Sequence, residues 1–212
     1  MERNILRRYL VAGPQDFPGR SLAEVTERLR LLLNSGITTF QFRDKGAVYA
    51  SAAERLAFAN QIRQLADEAQ VMFIMNDDVA LAKAVNADGL HIGQADTRLV
   101  EARQDLPASM LIGLSVRNAV EMQAAQASGA DYLGVGPIFP TRSKSDAAPA
   151  LGIDGLVNIL ALNELPTVGI GGIALDNLSL LSRTSLDGVA VISMLTRSRN
   201  LDKTIDQFKR YW

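Results

Sequence analysis

Val71-Met72-Phe73-Ile74-Met75-Asn76-Asp77-Asp78-Val79-Ala80-Leu81-Ala82-Lys83-Ala84-Val85-Asn86-Ala87-Asp88-Gly89-Leu90-His91-Ile92 contains one full repeat of the pattern that runs through this chain. Met72 to Asn76 is apolar without alternation, as a parallel strand buried on both faces requires. The run ends in the polar triplet Asn76-Asp77-Asp78, and a short helical pattern follows over Val79 to Val85. Asn86 suits the left-handed residue that closes a helix, and Gly89 to Ile92 opens the next apolar run.

The same order extends in both directions. Further strands are expected at Tyr9 to Ala12, Thr38 to Arg43, Leu111 to Ser115, Tyr132 to Gly136, Thr167 to Gly171 and Gly188 to Ile192. Helical patterns cover Ser21 to Asn34, Ser51 to Ala69, Thr97 to Gln104, Asn118 to Ser128, Ile153 to Leu162, Ala174 to Arg183 and Leu201 to Tyr211. In the first of these, Ser21 and Glu24 form a capping box and Leu22, Val25, Leu29, Leu32 and Leu33 share one stripe. Ser35-Gly36-Ile37 and Ser128-Gly129-Ala130-Asp131 repeat the junction seen at Asn86-Ala87-Asp88-Gly89. Eight strands, each followed by a helix, predict a single-domain α/β protein over 1–212, a (β/α)8 TIM barrel. An open doubly wound sheet is the alternative. It fits less well, because the first strand-to-helix turn lacks a glycine fingerprint and polar residues end nearly every strand.

Composition narrows the function classes. The chain has 212 residues, 48% of them hydrophobic, enough for a sizeable core. Its net charge of -1, from 22 Lys+Arg against 23 Asp+Glu, offers no field for nonspecific nucleic-acid binding. With no cysteine there is no disulfide framework or thiol chemistry, and the cytoplasm is the expected compartment. Arg3, Arg7 and Arg8 precede an apolar run that breaks at Gly13-Pro14, too short for a secretory leader, and no later run approaches a membrane span.

The polar strand ends carry the chemistry. Gln41, Arg43 and Lys45 alternate, so an extended segment points all three to one side, toward the barrel interior or its mouth. A guanidinium fork and an ammonium together suit a diphosphate, although a solvated turn would also explain Arg43-Asp44-Lys45-Gly46. Asp78 is placed to cap the following helix, which leaves Asp77 unexplained by structure. Asp96, just after the fourth strand, supplies a second carboxylate, and two carboxylates on adjacent strands suit magnesium completed by substrate phosphate. His91, the one histidine, reads as a satisfied core group. Between Thr141 and Gly152 lies the longest irregular stretch, with Thr141, Ser143 and Lys144 as phosphate-gripping candidates and mobility expected without ligand. Gly169-Ile170-Gly171-Gly172 and Ile192-Ser193 end the last two strands, where barrel enzymes commonly hold a phosphate.

Taken in order, QFRDK at 41–45, NDD at 76–78, HIGQAD at 91–96, GLS at 113–115, GPIFPT at 136–141, GIGGI at 169–173 and VIS at 191–193 resemble the thiamin phosphate synthase family over almost the whole chain. The resemblance implies a TIM barrel that binds magnesium, joins hydroxymethylpyrimidine diphosphate to hydroxyethylthiazole phosphate, and releases pyrophosphate. It also implies roles. Gln41, Arg43, Lys45, Asn76, Ser115 and Lys144 correspond to pyrimidine diphosphate contacts, with Arg43, Lys45, Ser115 and Lys144 closest to the chemistry. Asp77 and Asp96 correspond to Mg2+ ligands, while Thr141, Ser143, Gly172, Ile192 and Ser193 correspond to the thiazole phosphate site. Ser143 stands where the family usually has threonine; the hydroxyl is kept.

Two other readings share the barrel. A thiazole tautomerase would carry histidine two residues after the strand-5 serine, where this chain has Arg117. A catalytically silent regulator binding thiamin precursors is expected to lose Lys45, Asp77 or Asp96, and all three are present. The partners expected are small-molecule substrates, without nucleic acid or membrane; a homodimer is compatible with the sequence.

Overall fold

Each apolar run folds into a short strand that hands the chain to a helix. The computed structural model describes residues 2–45, 48–93, 99–141, 143 and 148–212. Its strands are β1 (Arg8–Ala12), β2 (Thr39–Phe42), β3 (Met72–Asn76), β4 (Gly89–Ile92), β5 (Leu111–Val116), β6 (Tyr132–Val135), β7 (Thr167–Ile170) and β8 (Gly188–Val191). They close in sequence order into one parallel barrel, with β1 paired to β8 through Tyr9↔Ala190. No helix among the described residues is long and apolar enough to cross a membrane.

The helices are α1 (Leu22–Leu33), α2 (Ala52–Glu68), α3 (Val79–Ala84), α4 (Leu99–Asp105), α5 (Ala119–Ser128), α6 (Gly152–Leu160), α7 (Leu178–Leu181), α8 (Ser193–Thr196) and α9 (Leu201–Lys209). The expected capping box forms on α1: Glu24 N–H donates to Ser21 Oγ at 3.3 Å and Ser21 N–H to Glu24 Oε2 at 2.8 Å. Two elements differ from the sequence reading. Ala174 to Arg183 was expected to be helical throughout, yet α7 covers four residues, because the Asn177 side chain turns back to Ala174 N–H (3.0 Å) and Gly172 C=O (3.0 Å). The short α8 was not expected at all.

Period-2 alternation sorts each strand into two layers. On β2, Phe40 and Phe42 face outward and pack their rings against Phe73 of β3 and, for Phe42, Phe58 of α2, within the core between barrel and helices. Burying each ring contributes about 2–3 kcal/mol. The inward layer holds a second cluster that includes Tyr9, Val11, Ile74, Tyr132, Val168 and Ala190. Here β2 contributes polar groups, Thr39 and Gln41, both buried.

At the N-terminal end of the barrel one device recurs four times. Asp88, before β4, accepts Phe73 N–H on its carboxylate (2.8 Å) and donates its own N–H to Phe73 C=O (2.9 Å). Asp131 does the same with Ile112 (2.7 and 2.8 Å), and Asp187 with Thr167 (2.7 and 2.9 Å). Thr38 does so with Arg8 through its hydroxyl (3.0 and 2.9 Å). Each carboxylate also binds an arginine, Arg63, Arg103 or Arg3. Gly36, Asn86 and Gly129, at the junctions read alike in the sequence, all adopt positive φ.

Candidate active site

A cavity of about 330 Å³ opens where the strands end. Alternation makes this possible, since every second residue of a barrel strand faces inward and the last one emerges at the mouth. Arg43 and Lys45 reach the cavity from β2, Asn76 and Asp77 from β3, His91 and Gly93 from β4, and Ser115 and Arg117 from β5. Thr141 and Ser143 line it beyond β6, Gly171 and Gly172 beyond β7, and Ile192 and Ser193 beyond β8. Ten of the expected site residues therefore share one space. Gln41 is the exception among those described: it lies below the cavity in the barrel interior, 4% exposed, with its Nε2 donating to Tyr9 Oη at 2.9 Å. Asp96 and Lys144 fall outside the described residues, as do 142 and 145–147 of the stretch expected to be mobile.

The wall at the ends of β2 and β3 is built around Asp77. Its φ of 60° is left-handed, a conformation that costs a non-glycine residue about 1 kcal/mol or more. Contacts among the described residues hold it: the backbone N–H donates to His91 C=O at 2.8 Å, and Oδ2 accepts Lys45 Nζ (2.7 Å) and Asn76 Nδ2 (2.6 Å). The next residue, Asp78, caps α3 as expected, with Oδ1 accepting Leu81 N–H at 2.9 Å. Its other oxygen meets Arg55 (2.8 Å), whose Nε also reaches Asp44 (2.6 Å). Arg55 thus ties the ends of β2 and β3 together from outside. Desolvation alone would lower the Arg55 pKa, but the hydrogen bonds and charges of both carboxylates outweigh it and raise the pKa.

The opposite wall is backbone. Gly171 and Gly172 have φ of 98° and 64°, and a Cβ on Gly172 would come within 2.5 Å of Pro140 C=O. Only glycine lets these two loops pass so closely. The β6–α6 loop is pinned to β7 by Ile138 N–H to Ile170 C=O (2.9 Å) and Phe139 N–H to Gly171 C=O (3.0 Å). Ile192 then precedes α8, whose first-turn amides lack intrahelical acceptors. Loops after the last two strands plus a short extra helix are where TIM-barrel enzymes frequently bind phosphate.

Beneath the cavity runs a file of polar side chains that the sequence did not disclose. Tyr9 Oη meets Tyr132 Oη at 2.9 Å, Tyr132 Oη meets His91 Nδ1 at 3.0 Å, and His91 Nε2 meets Ser115 Oγ at 3.0 Å. His91 is buried, as read, but it is also a wall residue touching Ser115. Burial pushes both phenols above the ordinary tyrosine range, against the pull of the Tyr132 and Gln41 hydrogen bonds at Tyr9. Arg117 is another wall residue not foreseen as part of the site. Its position two residues after Ser115 was the available signal, because alternation returns it to the same face.

A closed parallel barrel with polar strand ends converging on its C-terminal face defines a TIM-barrel enzyme. The chain belongs to the thiamine monophosphate synthase family, whose family model matches residues 8–195. A thiamine-phosphate synthase of Lactococcus lactis subsp. lactis is 48% identical over 205 residues, covering 97% of this chain and 95% of that protein. The solved structure of thiamine phosphate pyrophosphorylase from Pyrococcus furiosus superimposes with a TM-score of 0.84 at 32% identity, covering 99% of this chain and 96% of the other. The 3-hexulose-6-phosphate synthase of Salmonella typhimurium, at 14% identity, TM-score 0.69 and 97% and 98% coverage, shares the fold alone.

Proposed function

We infer that this protein is a transferase forming thiamin phosphate, and that it joins hydroxymethylpyrimidine diphosphate to hydroxyethylthiazole phosphate with loss of pyrophosphate. The observation that carries the reading is the two-sided cavity. One wall presents Arg43, Lys45, Asn76 and Ser115, and the other the amides and hydroxyls around Gly172 and Ser193. A diphosphate suits the first and a phosphate monoester the second.

The thiazole nitrogen attacks through a lone pair and carries no proton, so bond formation needs no general base. The work left to the protein is to position two substrates and to stabilise the departing pyrophosphate. Arg43 offers two parallel N–H donors, Lys45 a point charge and Ser115 a hydroxyl. On the other wall, Thr141, Ser143, Gly172, Ile192 and Ser193 would orient the thiazole phosphate. Lys144, beyond the described residues, is assigned to the diphosphate on family resemblance.

Asp77 fits a magnesium site, as its carboxylate already accepts a cation, the Lys45 ammonium, at 2.7 Å. No group of three or more His, Cys, Asp or Glu gathers among the described residues, and Mg2+ commonly takes one or two carboxylates and fills its shell with substrate oxygens and water. Asp77 and Asp96 would hold it, and bound there it would neutralise charge on the leaving diphosphate. The retained Lys45 and Asp77 argue against a silent regulator, and Arg117 against a tautomerase. Incubation of the protein with both substrates and Mg2+ should yield thiamin phosphate and pyrophosphate, and Asp77→Asn should lose most of that turnover. Undiminished magnesium-dependent turnover in the variant would remove Asp77 from the metal site.

A further inference from the structure

We propose that His91 is a positioning residue whose ring proton is placed by the file Gln41–Tyr9–Tyr132, so that the Ser115 hydroxyl is an acceptor toward His91 and a donor on its other side. The proposal rests on the reading of Ser115 as a diphosphate contact and deepens it.

Direction follows from counting protons along the file. Gln41 turns Nε2 to the Tyr9 oxygen, so Tyr9 accepts there and its own proton goes to Tyr132. Tyr132 has then accepted and donates to His91 Nδ1. A neutral imidazole with an accepting Nδ1 carries its hydrogen on Nε2, and that hydrogen is aimed at Ser115 Oγ. Ser115 therefore spends a lone pair on His91 and keeps its proton for a partner elsewhere. A hydroxyl that has accepted a hydrogen bond is also polarised into a better donor. Such a donor suits a phosphate oxygen gaining charge as it leaves; with the file reversed, the Ser115 proton would point into the barrel.

The geometry is built for this contact. A Cβ on Gly113 would lie 2.6 Å from His91 Nδ1 and collide with the Tyr132 ring, and one on Gly134 would lie 2.9 Å from His91 Cε1. Two inward strand positions thus lack side chains where the rings of His91 and Tyr132 meet, centroids 5.4 Å apart. Packing alone could fill that space with aliphatic groups. Both phenols remain protonated at neutral pH, which the relay of donors requires.

Because the chain has one histidine, selective 15N-histidine labelling reports this ring without ambiguity. A two-bond 1H–15N spectrum of the full protein should show a protonated Nε2 and a bare Nδ1; an Nδ1-protonated ring would overturn the proposal. Tyr132→Phe should let Nδ1 protonation appear and slow turnover about tenfold, the worth of one hydrogen bond, in kcat more than in KM. In a Ser115→Ala background the same change should cost nothing further, whereas an equal loss in both backgrounds would overturn the link through Ser115. Should Tyr132→Phe fail to fold, Gln41→Leu probes the same file from its far end, and an unchanged tautomer there counts against it. The ring spectrum needs no substrate, so a wild type that makes no thiamin phosphate would sink the functional reading while the spectrum still decides the proton's place.

Discussion

Replacing Arg55 with alanine should damage the site without touching it. The guanidinium bridges Asp44 at 2.6 Å and Asp78 at 2.8 Å, and these flank Lys45 and Asp77 on the cavity wall. The Asp44 side chain is only 3% exposed, so Arg55→Ala removes a cationic partner from a buried carboxylate. Breaking a fully buried pair costs about 3–5 kcal/mol. Arg55 itself is 34% exposed, and water there screens and partly replaces the lost charge, so about 2 kcal/mol is the better figure. For a domain of this size that lowers Tm by about 4–8 °C. Loosening both strand ends should also reduce kcat/KM about tenfold, since small displacements of positioning groups are expensive. Arg55→Lys, one point charge facing two carboxylates, should fall between. Thermal unfolding and steady-state kinetics on the same preparations test the two halves separately. Lower stability with unchanged kcat/KM would refute the coupling between this clamp and the site, and unchanged stability would refute the energetic argument.

Gly172→Ala should raise KM for the thiazole phosphate more than for the pyrimidine diphosphate, because a Cβ collides with Pro140 C=O and Phe139 and forces the phosphate loop outward; equal effects on both substrates would count against the division of the cavity. Asp88→Ala should destabilise by about 2–3 kcal/mol in urea titration, mostly from the stranded Phe73 N–H, while Asp88→Asn keeps that acceptor and should cost under about 1 kcal/mol. Equal losses in the two variants would show that the charge on Arg63, which also meets Asp67, matters more than the amide. Burial holds the Asp16 carboxyl above the ordinary range, opposed by the Gly13 N–H and nearby arginines. The folded state therefore binds that proton more tightly than the unfolded state, a contribution present at low pH and lost as pH rises through the folded pKa. Asp16→Asn should gain on the wild type in thermal unfolding as pH rises through and above the ordinary carboxylate range, and a constant difference would contradict the assignment.

Strand positions were legible because parallel barrel strands are short apolar runs with sharp polar ends; Met72–Asn76 and Gly89–Ile92 match residue for residue. The inward set at the mouth was legible for the same reason: alternation carries Arg43 and Lys45 to one face without knowledge of tertiary structure. What alternation cannot give is depth. Gln41 shares the parity of Arg43 but lies one layer lower, where Tyr9 takes its amide. His91 looked like core because it is core, and its second role depends on Ser115 and Tyr132, 24 and 41 residues away in sequence. The truncation of α7 hung on one asparagine side chain, and α8 has too few residues for any period to show.

The two-point clasps beneath the barrel join β1 to β2, β3 to β4, β5 to β6 and β7 to β8, skipping every other neighbour. The barrel is therefore modular as well as continuous: four double units, each carrying its own fastener, linked by ordinary strand pairing. A cut, insertion or exchange at a boundary between units, such as 105–110, leaves every fastener whole, whereas one at 85–88 opens a clasp. Since all four clasps lie at the end of the strands away from the cavity, such segments could be recombined among related barrels while the residues at the mouth evolve under separate pressures.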